Sequence, residues 1–121
     1  MLKVLIVDDS KAARMMLKHW VKAARPNCEI VEAGSGEEAL GLLSSLTEDT
    51  LAVLDYNMPG ITGIELATRI LEKLPNGQVT LCTANVQEAI RQKARDLGIR
   101  YVAKPLNPGK VRELLTIMES G

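Results

Sequence analysis

Three carboxylates, a hydroxyl and an ammonium follow short apolar runs of the sequence and could act together at one site. In chain order, the polar residues at the ends of these runs are Asp8 and Asp9, Asp55, Thr83 and Lys104. If the runs are parallel strands, their carboxyl ends meet at one edge of a sheet, which is where such sheets bind ligands. At a separation of about 5 Å and an effective dielectric near 20, each pair of carboxylates repels by roughly 3 kcal/mol. The cluster therefore favours a bound cation.

The donor types indicate which cation this would be. Carboxylate oxygens with room for water suit Mg²⁺, or Mn²⁺ in its place, whereas zinc prefers His or Cys. The single histidine, His19, falls in the middle of a predicted helix. The alternative for Asp8 and Asp9 alone is capping of the helix that follows. Asp55 at the end of a neighbouring strand shifts the interpretation towards a metal site.

The ammonium and the hydroxyl indicate an anionic partner for the metal. Lys104 precedes Pro105, and such a step is expected to be an extended or turn dipeptide that holds the ammonium over the same edge. Thr83 adds a hydroxyl, and Ala84 leaves the approach open. An anion between metal, hydroxyl and ammonium would be matched on three sides, and a phosphoryl group is the obvious candidate.

Alternating elements are predicted to position these side chains. The strand-length apolar runs cover residues 4–7, 28–33, 51–54, 79–83 and 100–103. Amphipathic helical patterns lie between them, with start signals at Ser35, Thr62, Asn85 and Asn107 and stop signals at Pro26, Pro75 and Gly98. Five βα units with strands that are apolar on both faces predict an α/β fold, in which helices cover both sides of a doubly wound parallel sheet.

Composition limits the class of protein. A chain of 121 residues with 46% hydrophobic and 25% charged residues is expected to form one folded domain. Cys28 and Cys82 lack metal-site spacing and are expected to be buried free thiols in a reducing compartment. There is no apolar run of membrane-spanning length and no signal peptide, which predicts a cytoplasmic protein.

Charge is balanced in total, 15 basic against 15 acidic residues, but segregated along the chain. One basic face is expected to steer an acidic partner, and it comprises Lys11, Arg14, Lys18, Lys22, Lys110 and Arg112. Nucleic-acid binding is disfavoured because the chain has three Trp and Tyr residues in all and no helix-turn-helix pattern. Met15, Met16 and Met118 are expected to fill the core, and Trp20 to be partly buried.

Four segments together resemble the receiver domain of two-component response regulators. They are Val-Asp-Asp-Ser at 7–10, Asp-Tyr-Asn-Met-Pro-Gly at 55–60, Thr-Ala at 83–84 and Tyr-Val-Ala-Lys-Pro at 101–105. The resemblance spans nearly the whole chain. It implies one receiver domain over residues 1–121 without an effector domain, similar to single-domain chemotaxis receivers, with a flavodoxin-like sheet in strand order 2-1-3-4-5.

The resemblance also implies roles for the residues at the strand ends. Asp55 would accept a phosphoryl group and form an aspartyl phosphate. Asp9, Asp55 and the backbone carbonyl of Asn57 would hold Mg²⁺, and Asp8 would act mainly through a bound water. Lys104 would pair with the phosphoryl oxygens.

A conformational switch is implied as well. Thr83 would turn towards the phosphoryl group and Tyr101 would follow it inward, which would alter the face made by helix 4, strand 5 and helix 5. A half-buried strand aromatic is the alternative for Tyr101. Asn57 and Asn85 would tune the lifetime of the phosphate. Leu106 departs from the aromatic residue often found after the Lys-Pro step.

The implied function is a signalling switch rather than an enzyme, with self-catalysed phosphotransfer and slow autodephosphorylation. Its partners would be a sensor histidine kinase or histidine phosphotransfer domain, and a downstream protein target or phosphatase. The protein would be a monomer that does not bind nucleic acid directly and does not insert into a membrane. A phosphate sink or relay remains an alternative. A small Mg²⁺-dependent phosphohydrolase is less favoured, because Asn57 stands where such enzymes place a second acid. A flavin carrier is also disfavoured, because no Gly-rich phosphate-binding loop follows the first strand.

Overall fold

Strands and helices alternate along the chain, as the sequence predicts. The computed structural model describes residues 2–84 and 87–121. Within these ranges the elements are β1 (Lys3–Val7), α1 (Lys11–Ala24), β2 (Glu29–Ala33), α2 (Gly36–Leu40), β3 (Thr50–Asp55), α3 (Gly63–Lys73), β4 (Gln78–Thr83), α4 (Glu88–Leu97), β5 (Arg100–Ala103) and α5 (Pro108–Ser120). A short 3-10 turn at Leu43–Ser45 separates α2 from β3.

The five strands form one parallel sheet in the order β2-β1-β3-β4-β5. The predicted fold class and strand order are therefore confirmed. The register pairs Val7 with Leu54 and Asp55 with Cys82, so the carboxyl ends of β1, β3 and β4 are level. The loops that leave these strands must therefore begin next to one another.

Two hydrophobic cores, one on each face of the sheet, hold the strands in place. On β1, Leu5 and Val7 belong to the core beneath α2, α3 and α4, whereas Val4 and Ile6 belong to the core beneath α1 and α5. All four side chains are almost completely buried. This two-sided burial explains why β1 reads as a continuous apolar run rather than an alternating one.

The predicted helix caps are present at the described starts. Ser35 and Thr62 accept hydrogen bonds from the backbone N–H groups three residues later, and Asn107 does the same ahead of Pro108. Gly98 ends α4 with φ = 73°, in the left-handed region that favours glycine. The predicted cap at Asn85 lies outside the described residues, and α4 begins at Glu88 with Gln87 as its N-cap.

The methionines of α1 differ from the prediction. Met118 is buried in the core as expected, but Met15 and Met16 are 60% and 53% exposed, so their assignment to the core was wrong. The reason is the rotation of α1, which turns Leu17 and Val21 towards the sheet. Trp20 is partly buried as predicted.

The thiols agree with the expectation. Cys28 and Cys82 are both buried and free. Over residues 2–84 and 87–121, no helix combines the length and the apolar character needed to cross a bilayer.

Candidate functional site at the carboxyl edge of the sheet

The three predicted carboxylates meet beyond the ends of β1 and β3. One oxygen from each of Asp8, Asp9 and Asp55 lies within 4.8 Å of the others. Asp8 and Asp55 are buried, and Asp9 is exposed to solvent. An all-oxygen set that is open on one side fits a hard divalent ion that keeps some of its water.

Lys104 follows β5 and reaches into this cluster. Its Nζ lies 2.9 Å from Asp8 Oδ2 and 3.3 Å from Asp55 Oδ1. Its backbone N–H donates to the carbonyl of Thr83 at 3.0 Å, which ties the β5–α5 loop to the end of β4. The peptide bond from Lys104 to Pro105 is cis. The ammonium thus balances part of the negative charge that the carboxylates bring together.

Asp8 contributes both to the cluster and to the start of α1. Its Oδ1 accepts from the backbone N–H of Ser10 at 2.9 Å, while the Ser10 hydroxyl caps α1 by accepting from Ala13. Its backbone N–H donates to the carbonyl of Ala33. The N-cap of α1 is therefore Ser10 rather than Asp8 or Asp9, and the second oxygen of Asp8 points at Lys104.

Burial and charge perturb the ionisation of the site. Burial and then the charge of Asp8 raise the pKa of Asp55, although Lys104 and the backbone of Asn57 act in the opposite direction. Burial acts to lower the pKa of Lys104, but its bonds to Asp8 and Asp55 and their charges outweigh this effect and leave it raised. Lys104 is consequently held as a cation between carboxylates that repel one another.

The predicted switch residues lie on one side of the sheet. Thr83 is fully buried at the end of β4, and Tyr101 on β5 is partly exposed. Leu81 pairs with Tyr101 in the parallel register, so Thr83, two residues after Leu81, points to the same face as Tyr101. The guanidinium carbon of Arg91 on α4 lies 5.5 Å from the centre of the Tyr101 ring.

The loop between β3 and α3 carries Asn57, which is exposed close to Asp55. Asn85, the second residue expected to affect phosphate lifetime, lies outside the described residues. Gly63, the first residue of α3, was not among the residues predicted to form the site. A Cβ at Gly63 would come within 2.5 Å of the Asp55 carbonyl oxygen. Glycine therefore lets α3 begin directly against the end of β3. In the sequence, the only indication of this close approach is a glycine immediately after the predicted cap residue Thr62.

An apolar cleft of about 390 Å³ adjoins the carboxylates, between α1 and the loop that follows Lys104. Met16, Trp20, Leu106 and Cys82 are among its lining residues. Burial raises the pKa of the Cys82 thiol to about 12, so this thiol stays protonated and unreactive.

Several members of the predicted basic face are occupied by contacts within the chain. Arg14 and Lys18 both pair with Glu32, and Lys22 donates to the carbonyl of Cys28. Lys110 donates to the carbonyl of Pro105 at 3.3 Å. The prediction overlooked Glu32, because that residue follows 14 positions after Lys18 and comes near α1 only in the folded sheet.

Comparison with known proteins identifies the family of the chain. The model of the response regulator receiver domain matches residues 4–116. The chain belongs to the response regulator receiver family. The resemblance stated from the sequence is thereby confirmed, and the acidic cluster, Thr83 and Lys104 occupy the ends of the receiver's strands.

Related sequences include complete receivers and longer proteins. The chain is 35% identical over 93% of its length to the chemotaxis protein CheY of Thermotoga maritima, and covers 93% of that protein. It is 36% identical over 92% of its length to the cyclic di-GMP phosphodiesterase response regulator RpfG of Xanthomonas campestris, but covers only 30% of it. Receivers of this sequence type therefore occur both alone and within larger regulators.

Solved structures support the same conclusion. Chemotaxis protein CheY4 of Vibrio cholerae has a TM-score of 0.87 at 28% identity, with 98% of each chain covered. Response regulator TrrA of Thermotoga maritima, in complex with Mg(2+)-BeF, has a TM-score of 0.81 at 32% identity, with 98% of this chain and 99% of TrrA covered. The chain is thus a receiver domain, and this family consists of signalling switches that work with histidine kinases and downstream targets.

Proposed function

We propose that this receiver accepts a phosphoryl group on Asp55 from a phosphohistidine, with Mg²⁺, and transmits the change to a protein partner. The observation that carries the proposal is the contact of one ammonium, Lys104, with two buried carboxylates in a cluster of three. The donor would be a sensor histidine kinase or a histidine phosphotransfer domain.

The residues present suit a magnesium ion. Asp9, Asp55 and the backbone carbonyl of Asn57 would hold it directly, and Asp8 would act through a bound water. Mn²⁺ accepts the same oxygen ligands and would substitute. When bound, the ion supplies positive charge beside the oxygens of the transferring phosphoryl group.

The transfer itself is a single displacement at phosphorus. A carboxylate oxygen of Asp55 forms the new O–P bond while the P–N bond to the histidine ring breaks, and the ring nitrogen keeps the electron pair. Because charge spreads over the phosphoryl oxygens in a loose transition state, the protein contributes mainly position and countercharge. The ammonium of Lys104 would provide that countercharge. To reach the phosphoryl group on Asp55, it would move only a short way from its contacts with Asp8 and Asp55.

Thr83 and Tyr101 would convert the modification into a change of surface. The Thr83 hydroxyl would bond a phosphoryl oxygen, and Tyr101 would then move inward on the same face of the sheet. The surface of α4, β5 and α5 would change with it and bind its target differently. Asn57 and Asn85 would set how fast the phosphate is lost.

We extend the proposal to the form of the protein. The chain would act as a monomeric one-domain receiver in the cytoplasm, where its two buried free thiols are compatible with reducing conditions. A target that binds more tightly after phosphorylation would identify a messenger. Onward transfer of phosphate without a change of affinity would identify a sink or relay.

The test is the intact mass of the protein after exposure to acetyl phosphate, with Mg²⁺ and with a chelator. The expected result is one added phosphoryl group, absent in Asp55→Asn and absent with the chelator. Asp49→Asn is the matched control, because this exposed carboxylate lies before β3 at the opposite end of the strand. An adduct on Asp55→Asn at the wild-type rate would refute the assignment of the acceptor.

A further inference from the structure

Arg14 on α1 connects the acidic cluster to the outer strand of the sheet. Its Nη1 donates to the backbone carbonyl of Asp8 at 2.5 Å, and its Nε bonds Glu32 Oε1 on β2 at 3.1 Å. The Arg14 side chain is only 16% exposed. A single guanidinium therefore holds the turn after β1 against β2.

The carbonyl that Arg14 contacts belongs to the peptide bond between Asp8 and Asp9. This bond is planar, so fixing its oxygen also fixes the direction in which Asp9 leaves the strand. The Asp8 side chain is held separately by Ser10 and Lys104. For Asp9, by contrast, no side-chain hydrogen bond is found within residues 2–84 and 87–121, so its carboxylate depends on the backbone for its position.

Two neighbours keep the Arg14 side chain in place. The other carboxylate oxygen of Glu32 accepts a hydrogen bond from Lys18 at 2.6 Å. The bond from Lys18, and to a lesser extent the bond from Arg14, holds the pKa of Glu32 below its usual value, although burial acts in the opposite direction. At Gly34, a Cβ would lie 3.1 Å from Arg14 Nη1. The absence of a side chain at Gly34 leaves the space that the guanidinium occupies.

We infer that Arg14 is a positioning residue for the magnesium site, which orients Asp9 through the carbonyl of Asp8 and is itself anchored by Glu32. The inference rests on the proposed role of the cluster in binding Mg²⁺. Arg14 would not touch the ion. Its effect would be transmitted through one peptide group.

Charge alone predicts the opposite behaviour. A guanidinium beside an acidic cluster repels a divalent cation, so its removal would strengthen Mg²⁺ binding if Arg14 acted only through its charge. Removal of a group that orients a ligand weakens metal binding, typically by tenfold or more. The sign of the change therefore separates the two explanations.

The experiment is a Mg²⁺ titration followed by backbone amide shifts, on wild type, Arg14→Met and Lys18→Met. We expect Arg14→Met to weaken Mg²⁺ binding about tenfold. Lys18→Met should bind as wild type or slightly more tightly, because Lys18 shares Glu32 but has no contact with Asp8. Unchanged or tighter binding by folded Arg14→Met would overturn the inference.

A second variant covers the case in which Arg14→Met does not fold. Arg14→Lys keeps the charge but cannot reach both Glu32 and the Asp8 carbonyl with a planar fork. It should also weaken Mg²⁺ binding, and wild-type affinity would count against the inference. Failure of the wild-type protein to bind Mg²⁺ would instead refute the proposed function, so the two failures are distinguishable.

Discussion

At the residue scale, the site brings like charges together at a cost to stability. Asp55 is buried beside Asp8, and burial and then the charge of Asp8 raise its pKa, although Lys104 acts in the opposite direction. The same arrangement suits the proposed function, because a divalent cation bound between the carboxylates would offset their mutual repulsion. We therefore expect the ionised carboxylates to lower the free energy of unfolding at neutral pH when no cation is bound.

The variant Asp55→Asn should accordingly be more stable than wild type at pH 7 without Mg²⁺. We expect about 1–2 kcal/mol, because repulsion near 3 kcal/mol is partly offset by Lys104. With a raised folded-state pKa, the contribution of Asp55 to stability is fully present below its unfolded-state pKa and is lost as the pH rises through the folded-state value. The gain should therefore vanish in acid.

Urea unfolding of the two proteins across this pH range measures the difference. Asp49→Asn, at the exposed end of the molecule, should show no such pH-dependent gain. Added Mg²⁺ should reduce the advantage of Asp55→Asn, since the ion stabilises the wild-type carboxylates. A variant that is less stable than wild type at pH 7 would contradict this description of the site.

At the element scale, the close start of α3 sets the position of the loop that carries Asn57. Gly63 makes this approach possible, since a Cβ would meet the Asp55 carbonyl at 2.5 Å and a side-chain atom of Leu81 at 2.6 Å. The Gly63 N–H also bonds the carbonyl of Tyr56 at 3.3 Å. The geometry of the acceptor thus depends on a helix start that carries no functional group.

Gly63→Ala should therefore impair both folding and phosphorylation. We expect a loss of about 1–3 kcal/mol from overpacking, and about tenfold slower labelling by acetyl phosphate, because small displacements of reacting groups have large effects on rate. Gly109→Ala is the matched control, since a Cβ there meets its nearest neighbour at 3.4 Å, an ordinary contact. Labelling of Gly63→Ala at the wild-type rate would show that the loop does not depend on this contact.

At the scale of the whole molecule, the two faces of the sheet have different contents. The face under α2, α3 and α4 includes Leu81 and Tyr101. The face under α1 and α5 includes Cys82 and adjoins the apolar cleft with Trp20. Asp55 and Lys104 lie at the edge that the two faces of the sheet share. Phosphorylation at that edge would therefore take place next to both faces.

Sequence patterns predicted the architecture because they reflect local physics. Apolar runs, caps and glycine stops determine the strands and helices, and the ends of parallel strands must meet at one edge. The contact between Arg14 and Glu32 could not be predicted in this way, since it joins residues 18 positions apart that come together only in the tertiary structure. The exposure of Met15 and Met16 also depended on the rotation of α1, which two adjacent methionines do not specify.

The most direct test of the central claim is to locate the modified residue. After labelling with acetyl phosphate and Mg²⁺, borohydride reduction converts an aspartyl phosphate to homoserine, which peptide mass spectrometry can map. The account predicts homoserine at position 55 and at no other aspartate, with none when Mg²⁺ is chelated. Homoserine at Asp8 or Asp9, or phosphate on a side chain that borohydride does not reduce, would contradict it.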